Sequence, residues 1–295
     1  MSDIFSDLFP KIGRSEFIDR YWPNTYYYEN GELQRLNTFI HELLDIQPTT
    51  LLDILECEVD VLSNDGSRYS FVSAKDSKPF YDQAESMIYI KDLSQFSCIN
   101  TMISQLSDAI GIDRKYIYCE GFLAKKGVRV DTHFDHETNF MIQLTGEKDW
   151  QVAINNDLPN PLKAFFVNNP NRFYDHGKHP YTGERLPSEM PIDHQSFVVY
   201  PGTVTYLPRG YWHNTYTHSD SFSIGIVIDP PTNIELFTSV LKSNLLKSEL
   251  ARKHPLYKPN SEHQFDNDIN KLKKEIINEI NNISSKDLYQ YLNKN

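Results

Sequence analysis

The stretch DTHFDHETNFMIQLTGEKDW, residues 131–150, decides how the rest of the chain is read. It opens with a histidine and an aspartate two positions apart, His133 and Asp135. Side chains alternate along a β-strand, so on a strand both would project from one face. An imidazole and a carboxylate converging on one point need one further histidine to form a facial set of three ligands. Such a set leaves three positions of an octahedral iron(II) open for a cosubstrate and oxygen.

The third ligand should come from a later strand. GTVTYLPRGYWHNTY (202–216) offers His213 after a strand-like TVTYL and a turn-rich PRG, 78 residues beyond Asp135. Lys148 lies 15 residues after His133. A dicarboxylate that chelates a metal through a 2-oxo acid end needs a fixed cation for its distal carboxylate, and Lys148 is the candidate. A second histidine–aspartate pair, His218 and Asp220, sits in a polar turn. Only His254 and His263 follow it, in helical or proline-rich surroundings, so it is set aside as a metal site. The chain has no HExxH, and its three cysteines, Cys57, Cys98 and Cys119, form no CxxC pair. Neither a zinc-peptidase helix nor a disulfide framework is indicated. Two histidines and an aspartate also satisfy zinc, which the residues alone do not distinguish from iron.

Around this stretch, short β-like runs follow one another: YIYCEGFLA, NFMIQLTG, DWQVAI, SFVVY, TVTYLP and SFSIGIVI, separated by Gly, Pro, Asn and Asp. That pattern indicates a sandwich or barrel. Three segments are expected: a mixed region over 1–114, a β core over 115–231 and a helical region over 232–295. Within the first, 33–45 and 101–110 carry apolar residues at helical spacing, and Gly111 is a plausible helix stop. In the last, Ile269, Leu272, Ile276, Ile280 and Ile283 recur every three or four residues among Lys and Glu. This stripe suits packing on the chain's own barrel or on a second copy, so a homodimer is one expectation. The Pro- and Asn-rich run between Ala153 and Ser196 is long for an irregular segment, which suggests a lid or a substrate-binding loop bearing Phe165, Phe166, Phe173 and Tyr174.

A net charge of −11 argues against binding nucleic acid through phosphates and would suit a basic peptide or protein. MSDIFSDLFPKIGRSEF has neither the basic nor the apolar region of a signal peptide, and no run approaches the roughly 18 apolar residues a membrane span needs. The expectation is a cytoplasmic protein without membrane contact.

The string HFDHETNFMIQLTGEKDW resembles the H-x-D-x3-N-F-x2-Q-x2-G-x-K pattern of JmjC-type protein hydroxylases, and is especially similar to the asparaginyl hydroxylase of hypoxia-inducible factor. YLPRGYWHNTY resembles the segment that delivers the second histidine in that family and in the ribosomal oxygenases, and SEFIDRYWPNTYYY (15–28) resembles their opening. The resemblance covers residues 15–230. It implies a mainly β fold: a double-stranded β-helix (jelly-roll or cupin) core with N-terminal α/β elements and C-terminal helices placed like the dimerisation helices of these hydroxylases. It implies an Fe(II)/2-oxoglutarate-dependent dioxygenase using O2, with His133, Asp135 and His213 on the metal. Lys148 would then pair with the distal carboxylate of 2-oxoglutarate, and Asn139 would sit near it. Val130 and IGIVI (224–228) depart from the family's hydroxyl or amide partners, leaving Thr132, Tyr206 and Ser223 as candidates to complete cosubstrate binding. The implied reaction is hydroxylation of an amino-acid side chain. N-methyl-lysine demethylation, small-molecule hydroxylation and a non-enzymatic cupin-like scaffold are the alternatives. Many demethylases carry Glu where this chain has Asp135, and a degenerate scaffold would be expected to have lost a ligand or the lysine.

Overall fold

The computed structural model describes residues 3–82, 86–169, 186–259 and 261–294. Thirteen strands are β1 (Tyr27–Glu29), β2 (Val59–Ser63), β3 (Arg68–Phe71), β4 (Ser86–Ile90), β5 (Ile117–Ala124), β6 (Arg129–Phe134), β7 (Thr138–Thr145), β8 (Lys148–Ala153), β9 (Phe165–Phe166), β10 (Gln195–Val199), β11 (Val204–Leu207), β12 (Trp212–Thr217) and β13 (Ser221–Ile228). They form two antiparallel sheets: a major one in the order β1-β11-β7-β13-β5-β4-β2-β3 and a minor one in the order β10-β8-β12-β6-β9. This is the mainly β, cupin-like jelly roll expected.

SFSIGIVI explains why β13 lies at the centre of the major sheet. All eight of its residues are buried, and it pairs with β5 on one side and β7 on the other. A strand covered on both faces reads as a continuous apolar run. Its Ile224, Ile226 and Ile228 join Phe140 of β7 and Tyr206 of β11 in a core against helices from the first 110 residues. Phe5 of α1 (Ile4–Leu8), Phe17 of α2 (Gly13–Arg20) and Phe39 and Ile40 of α3 (Asn37–Leu44) belong to that core. After α4 (Pro48–Ile54) and α5 (Lys78–Tyr81), α6 (Ser97–Ile110) contributes Cys98, Ile99, Met102, Ile103 and Leu106 from one face. Their 3- and 4-residue spacing gives a single apolar stripe, which is why this segment is a helix. α6 starts four residues before the run predicted for it and ends where expected: Gly111 adopts φ +72 and returns its N–H to the Ser107 carbonyl at 2.9 Å.

The region read as mixed supplies four strands to the major sheet, and β4 pairs directly with β5. β3 was not visible in the sequence because Arg68, Tyr69 and Ser70 are all exposed, leaving no apolar period. The helix expected over 33–45 opens as a 3-10 turn at Leu33–Leu36 before α3. Between the sheets, Trp150, Val152, Phe197, Val199, Leu207 and Tyr211 pack with Tyr28 and Met141.

Residues 1–229 and 230–295 form separate compact units. In the second, α7 (Asn233–Leu245) begins with a capping box in which Thr232 and Glu235 exchange hydrogen bonds. α8 (Glu249–Arg252), α9 (Glu262–Asn282) and α10 (Ser285–Lys294) follow. No residue of α9 is buried, and Phe265, Ile277 and Ile280 are each more than 40% exposed. Among the described residues, no helix is long and apolar enough to cross a membrane.

Candidate metal centre

β6 and β12 are hydrogen-bonded neighbours, and their register places His133 directly opposite His213. Opposed residues on one face of an antiparallel pair bring their Cβ atoms within about 5 Å, and here the two rings stand 3.9 Å apart. Phe134 turns to the other side, into a cluster with Phe165 and Trp212, so Asp135 returns to the side of His133. The Gly210 N–H donates to the Asp135 carbonyl at 2.9 Å, which ties the end of β6 to the Pro-Arg-Gly turn before β12. Gly210 sits there at φ +83, a conformation that favours glycine.

Asp135 Oδ2 lies 3.7 Å from His133 Nε2 and 3.5 Å from His213 Nε2. One ligand atom from each residue falls within 4.8 Å of the others. The second ring nitrogens are engaged by backbone: His133 Nδ1 with the Asp131 carbonyl at 2.7 Å, and His213 Nδ1 with the Tyr211 carbonyl at 3.0 Å. An Nδ1–H donated to a carbonyl fixes the tautomer and directs an Nε2 lone pair at the common point, the usual second partner of a ligating histidine. Phe166 stacks on His133 at 4.3 Å, and Trp150 lies parallel to His213 at 5.8 Å. The imidazoles are thus held between aromatic walls.

Lys148 starts β8, opposite Thr217 of β12, while Val152 of β8 stands opposite His213. It points between the sheets, where it is 5% exposed and its Nζ donates to Ser223 Oγ of β13 at 3.1 Å. Among the described residues no carboxylate forms an ion pair with it. Burial pulls its ammonium down to about 8. Asn139, on the inner face of β7, is buried with Oδ1 lacking a hydrogen-bond partner among the described residues. Trp150 Nε1 is in the same state.

Two sequence candidates are not brought to this point. β6 runs three residues, from Val130 to His133, against two on β12, from Thr215 to His213. Thr132, next to His133, is turned by strand alternation to the outer face, where its Oγ1 accepts from Asn214 Nδ2 at 3.0 Å. Tyr206 lies on the helix-covered face of the major sheet, packed on Phe17, Trp22 and Phe140, with its hydroxyl donating to the Pro23 carbonyl. Of the three hydroxyl candidates, only Ser223 stands beside Lys148. In the second histidine–aspartate pair, His218 pairs with Asp149 at 2.7 Å and Asp220 with Lys125 at 2.9 Å. Phe173 and Tyr174 lie outside the described residues, while Val167, Asn168 and Glu189 wall a cavity of about 650 Å³ on the outer face of the minor sheet, floored by Gln151 and Asn214.

Glu120 and Tyr89 were missed. Along β5, Ile117, Cys119 and Leu123 face the helices, so Tyr118, Glu120 and Phe122 face the other sheet. A glutamate at an inward position of an apolar strand was the available signal. Tyr89 of β4 donates its hydroxyl to Glu120 at 2.7 Å. Burial, reinforced by the charges of Asp135 and Glu137 against the Tyr89 hydrogen bond, pushes the Glu120 carboxyl up to about 8.

Comparison with known proteins agrees with this architecture. Residues 97–236 match the family model described as JmjC domain. The YxbC protein of Bacillus subtilis (strain 168) is 23% identical over 269 residues, covering 85% of this chain and 79% of that protein. Among solved structures, Escherichia coli ycfD superposes with a TM-score of 0.57 at 17% identity, over 94% of this chain and 69% of that one. The structure of YcfD, described as a ribosomal oxygenase in complex with cobalt and 2-oxoglutarate, gives 0.55 at 15% identity over 94% and 68%. Over residues 97–236, then, the chain is similar to a JmjC domain.

Proposed function

We propose that this protein is an iron(II)- and 2-oxoglutarate-dependent oxygenase that hydroxylates an unactivated C–H bond, the target being an amino-acid side chain of a peptide or protein. The observation that carries the reading is Lys148: an ammonium buried without a carboxylate partner among the described residues, beneath a cluster of two imidazoles and one carboxylate. A buried charge without a counter-ion is costly, so the position is suited to receive an anion. Four strand residues, about 13 Å, separate Lys148 from Val152, the register partner of His213. A lysine side chain and a five-carbon dicarboxylate together fill that span.

The donor set fits the metal. Two histidines with backbone-anchored Nδ1 atoms and one aspartate form the facial arrangement typical of non-haem iron(II), and Asn139 Oδ1 is a buried polar atom without a hydrogen-bond partner among the described residues. Iron so held, with 2-oxoglutarate and dioxygen, supplies the oxidising power for hydroxylation. His133, Asp135 and His213 hold the metal. Lys148 and Ser223 fix the distal carboxylate, and Asn139 lines the chelating end. Phe166 and Trp150 keep the imidazoles oriented and limit water.

A protein substrate is supported by the ribosomal-oxygenase description of the YcfD structures and by the net charge of −11, which favours encounter with basic partners. The unburied apolar residues of α9 support pairing with a second copy of the chain.

The test is an anaerobic visible spectrum of metal-free protein titrated with iron(II) and 2-oxoglutarate. A weak charge-transfer band is expected, lost in His133→Ala and requiring more cosubstrate in Lys148→Ala. Peptides from ribosomal proteins would then be screened for a 16-Da gain coupled to succinate release. Folded wild-type protein that gives no band would defeat the proposal.

A further inference from the structure

Three rows of side chains cross the inner face of the major sheet. Tyr118, Val227 and Asn139 form the row nearest the histidine–aspartate cluster. Phe122, Ser223 and Gln143 form the deepest row, where Ser223 meets Lys148. Glu120, Gly225 and Met141 form the row between them. A dicarboxylate chelated at the cluster and gripped by Lys148 passes this middle row.

Gly225 keeps that row open. A Cβ there would lie 2.9 Å from Met141 Sδ and 3.1 Å from Glu120 Oε1, so both side chains lean over the glycine. Glu120 keeps some accessible surface although protein surrounds it, as a group lining an internal cleft does. Its Oε2 is taken by the Tyr89 hydroxyl, which leaves Oε1, the oxygen over Gly225, directed to the slot. An ionised carboxylate here would repel a dianion, whereas a protonated one can donate a hydrogen bond to it.

We propose that Glu120, in its protonated form and held by Tyr89, is a binding residue that donates a hydrogen bond to the bound 2-oxo dicarboxylate. The inference rests on the oxygenase reading above. The titratable groups whose influence reaches Glu120 are Tyr89 of β4, Tyr118 of its own strand, and Asp135 and Glu137 beyond β6. Burial and the charges of Asp135 and Glu137 favour the protonated carboxyl, against the hydrogen bond that Tyr89 donates. Lys148, at the other end of the slot, loses its proton in the same pH range, and the test must separate the two. When the dicarboxylate binds above pH 8, one proton passes from solvent to Glu120 and another to Lys148.

The experiment is calorimetric titration of 2-oxoglutarate into the manganese(II)-loaded full chain, a metal that binds without turnover, for wild type, Glu120→Gln and Glu120→Leu at pH 7 and pH 9. Glutamine is a permanent neutral donor, so Glu120→Gln should bind within about twofold of wild type at pH 7. Glu120→Leu should bind about ten- to a hundredfold more weakly, the loss of one hydrogen bond to a charged group. Between pH 7 and pH 9 wild type should lose more affinity than Glu120→Gln, because only wild type must reprotonate position 120. Equal affinity of Glu120→Leu and wild type, or parallel losses in wild type and Glu120→Gln, overturns the proposal and leaves the oxygenase reading intact. Failure of wild type to bind at either pH removes both. Should the variants not fold, proton uptake by wild type decides: more than one proton per dicarboxylate at pH 9 supports Glu120, and one or fewer, which Lys148 alone can account for, overturns it.

Discussion

Replacing Lys148 by methionine should make the metal-free protein more stable while nearly abolishing its affinity for a dicarboxylate. Burial holds the Lys148 ammonium at about 8 against an ordinary value of 10.5. Each tenfold change in a protonation equilibrium is about 1.4 kcal/mol, so carrying this charge in the folded state costs about 3 kcal/mol more than in the unfolded chain. Methionine fills a similar volume without charge and forfeits one hydrogen bond to Ser223, worth about 1 kcal/mol. The expected net gain is about 2 kcal/mol at pH 7. The sign of the pH dependence follows from proton counting. Between pH 8 and 10.5 the unfolded lysine binds more protons than the folded one, so wild-type stability rises across that window and the advantage of Lys148→Met shrinks. Urea denaturation followed by tryptophan fluorescence reads this directly, because Trp22, Trp150 and Trp212 all lie within residues 1–229. The same variant should bind 2-oxoglutarate at least a hundredfold more weakly, since removing one partner of a buried ion pair costs about 3–5 kcal/mol. A variant less stable than wild type at pH 7, or a stability difference independent of pH, would refute the claim that Lys148 is a buried charge kept for a ligand.

Cobalt(II) added to metal-free protein should bind at one equivalent in wild type and at less than a tenth of that in His133→Ala, by d–d absorbance, with the thermal midpoint of the metal-free forms unchanged. Gly202, at φ +93, would place a Cβ 2.2 Å from the Gly31 carbonyl and 2.7 Å from the Leu33 nitrogen, both backbone atoms that cannot swing aside. Gly202→Ala should therefore lose about 2–4 kcal/mol in urea unfolding, and an unchanged midpoint would contradict the described packing of the Gly202 turn. Light scattering should give wild type the mass of two chains and Ile276→Asp/Ile280→Asp the mass of one, at unchanged helicity by circular dichroism. A wild-type mass of one chain would remove the pairing assigned to α9.

The residues that converge were the most legible part of the site. His133 and Asp135 share a face because strand side chains alternate, and His213 follows a turn that can bring it back. Lys148 was legible only in company with those ligands, because a dicarboxylate chelated there needs a cation for its distal carboxylate. Thr132 misled because it stands beside His133 in sequence, whereas alternation along β6 turns its hydroxyl to the opposite face. Tyr206 misled for a different cause: YLP reads as an inner strand, and no local pattern says which face of the major sheet α1 and α2 will cover. Glu120 went unread because its environment is assembled from β4, β5 and β13, three segments far apart in sequence. The short strand runs announced a sandwich or barrel and the resemblance to JmjC-type hydroxylases implied the jelly roll, whereas the polar, exposed β3 carried no period to read.

His133 and His213 face each other across one rung of a backbone ladder, and neither is offered by a flexible connection. The two imidazoles are therefore mounted on the part of the molecule least free to vary, with Phe166 of β9 packed against His133 from the connection between β8 and β10. Selection can rewrite the surface around that ladder without re-solving the problem of how the two imidazoles are brought together. Proteins sharing this ladder should accordingly diverge in target long before they diverge in reaction.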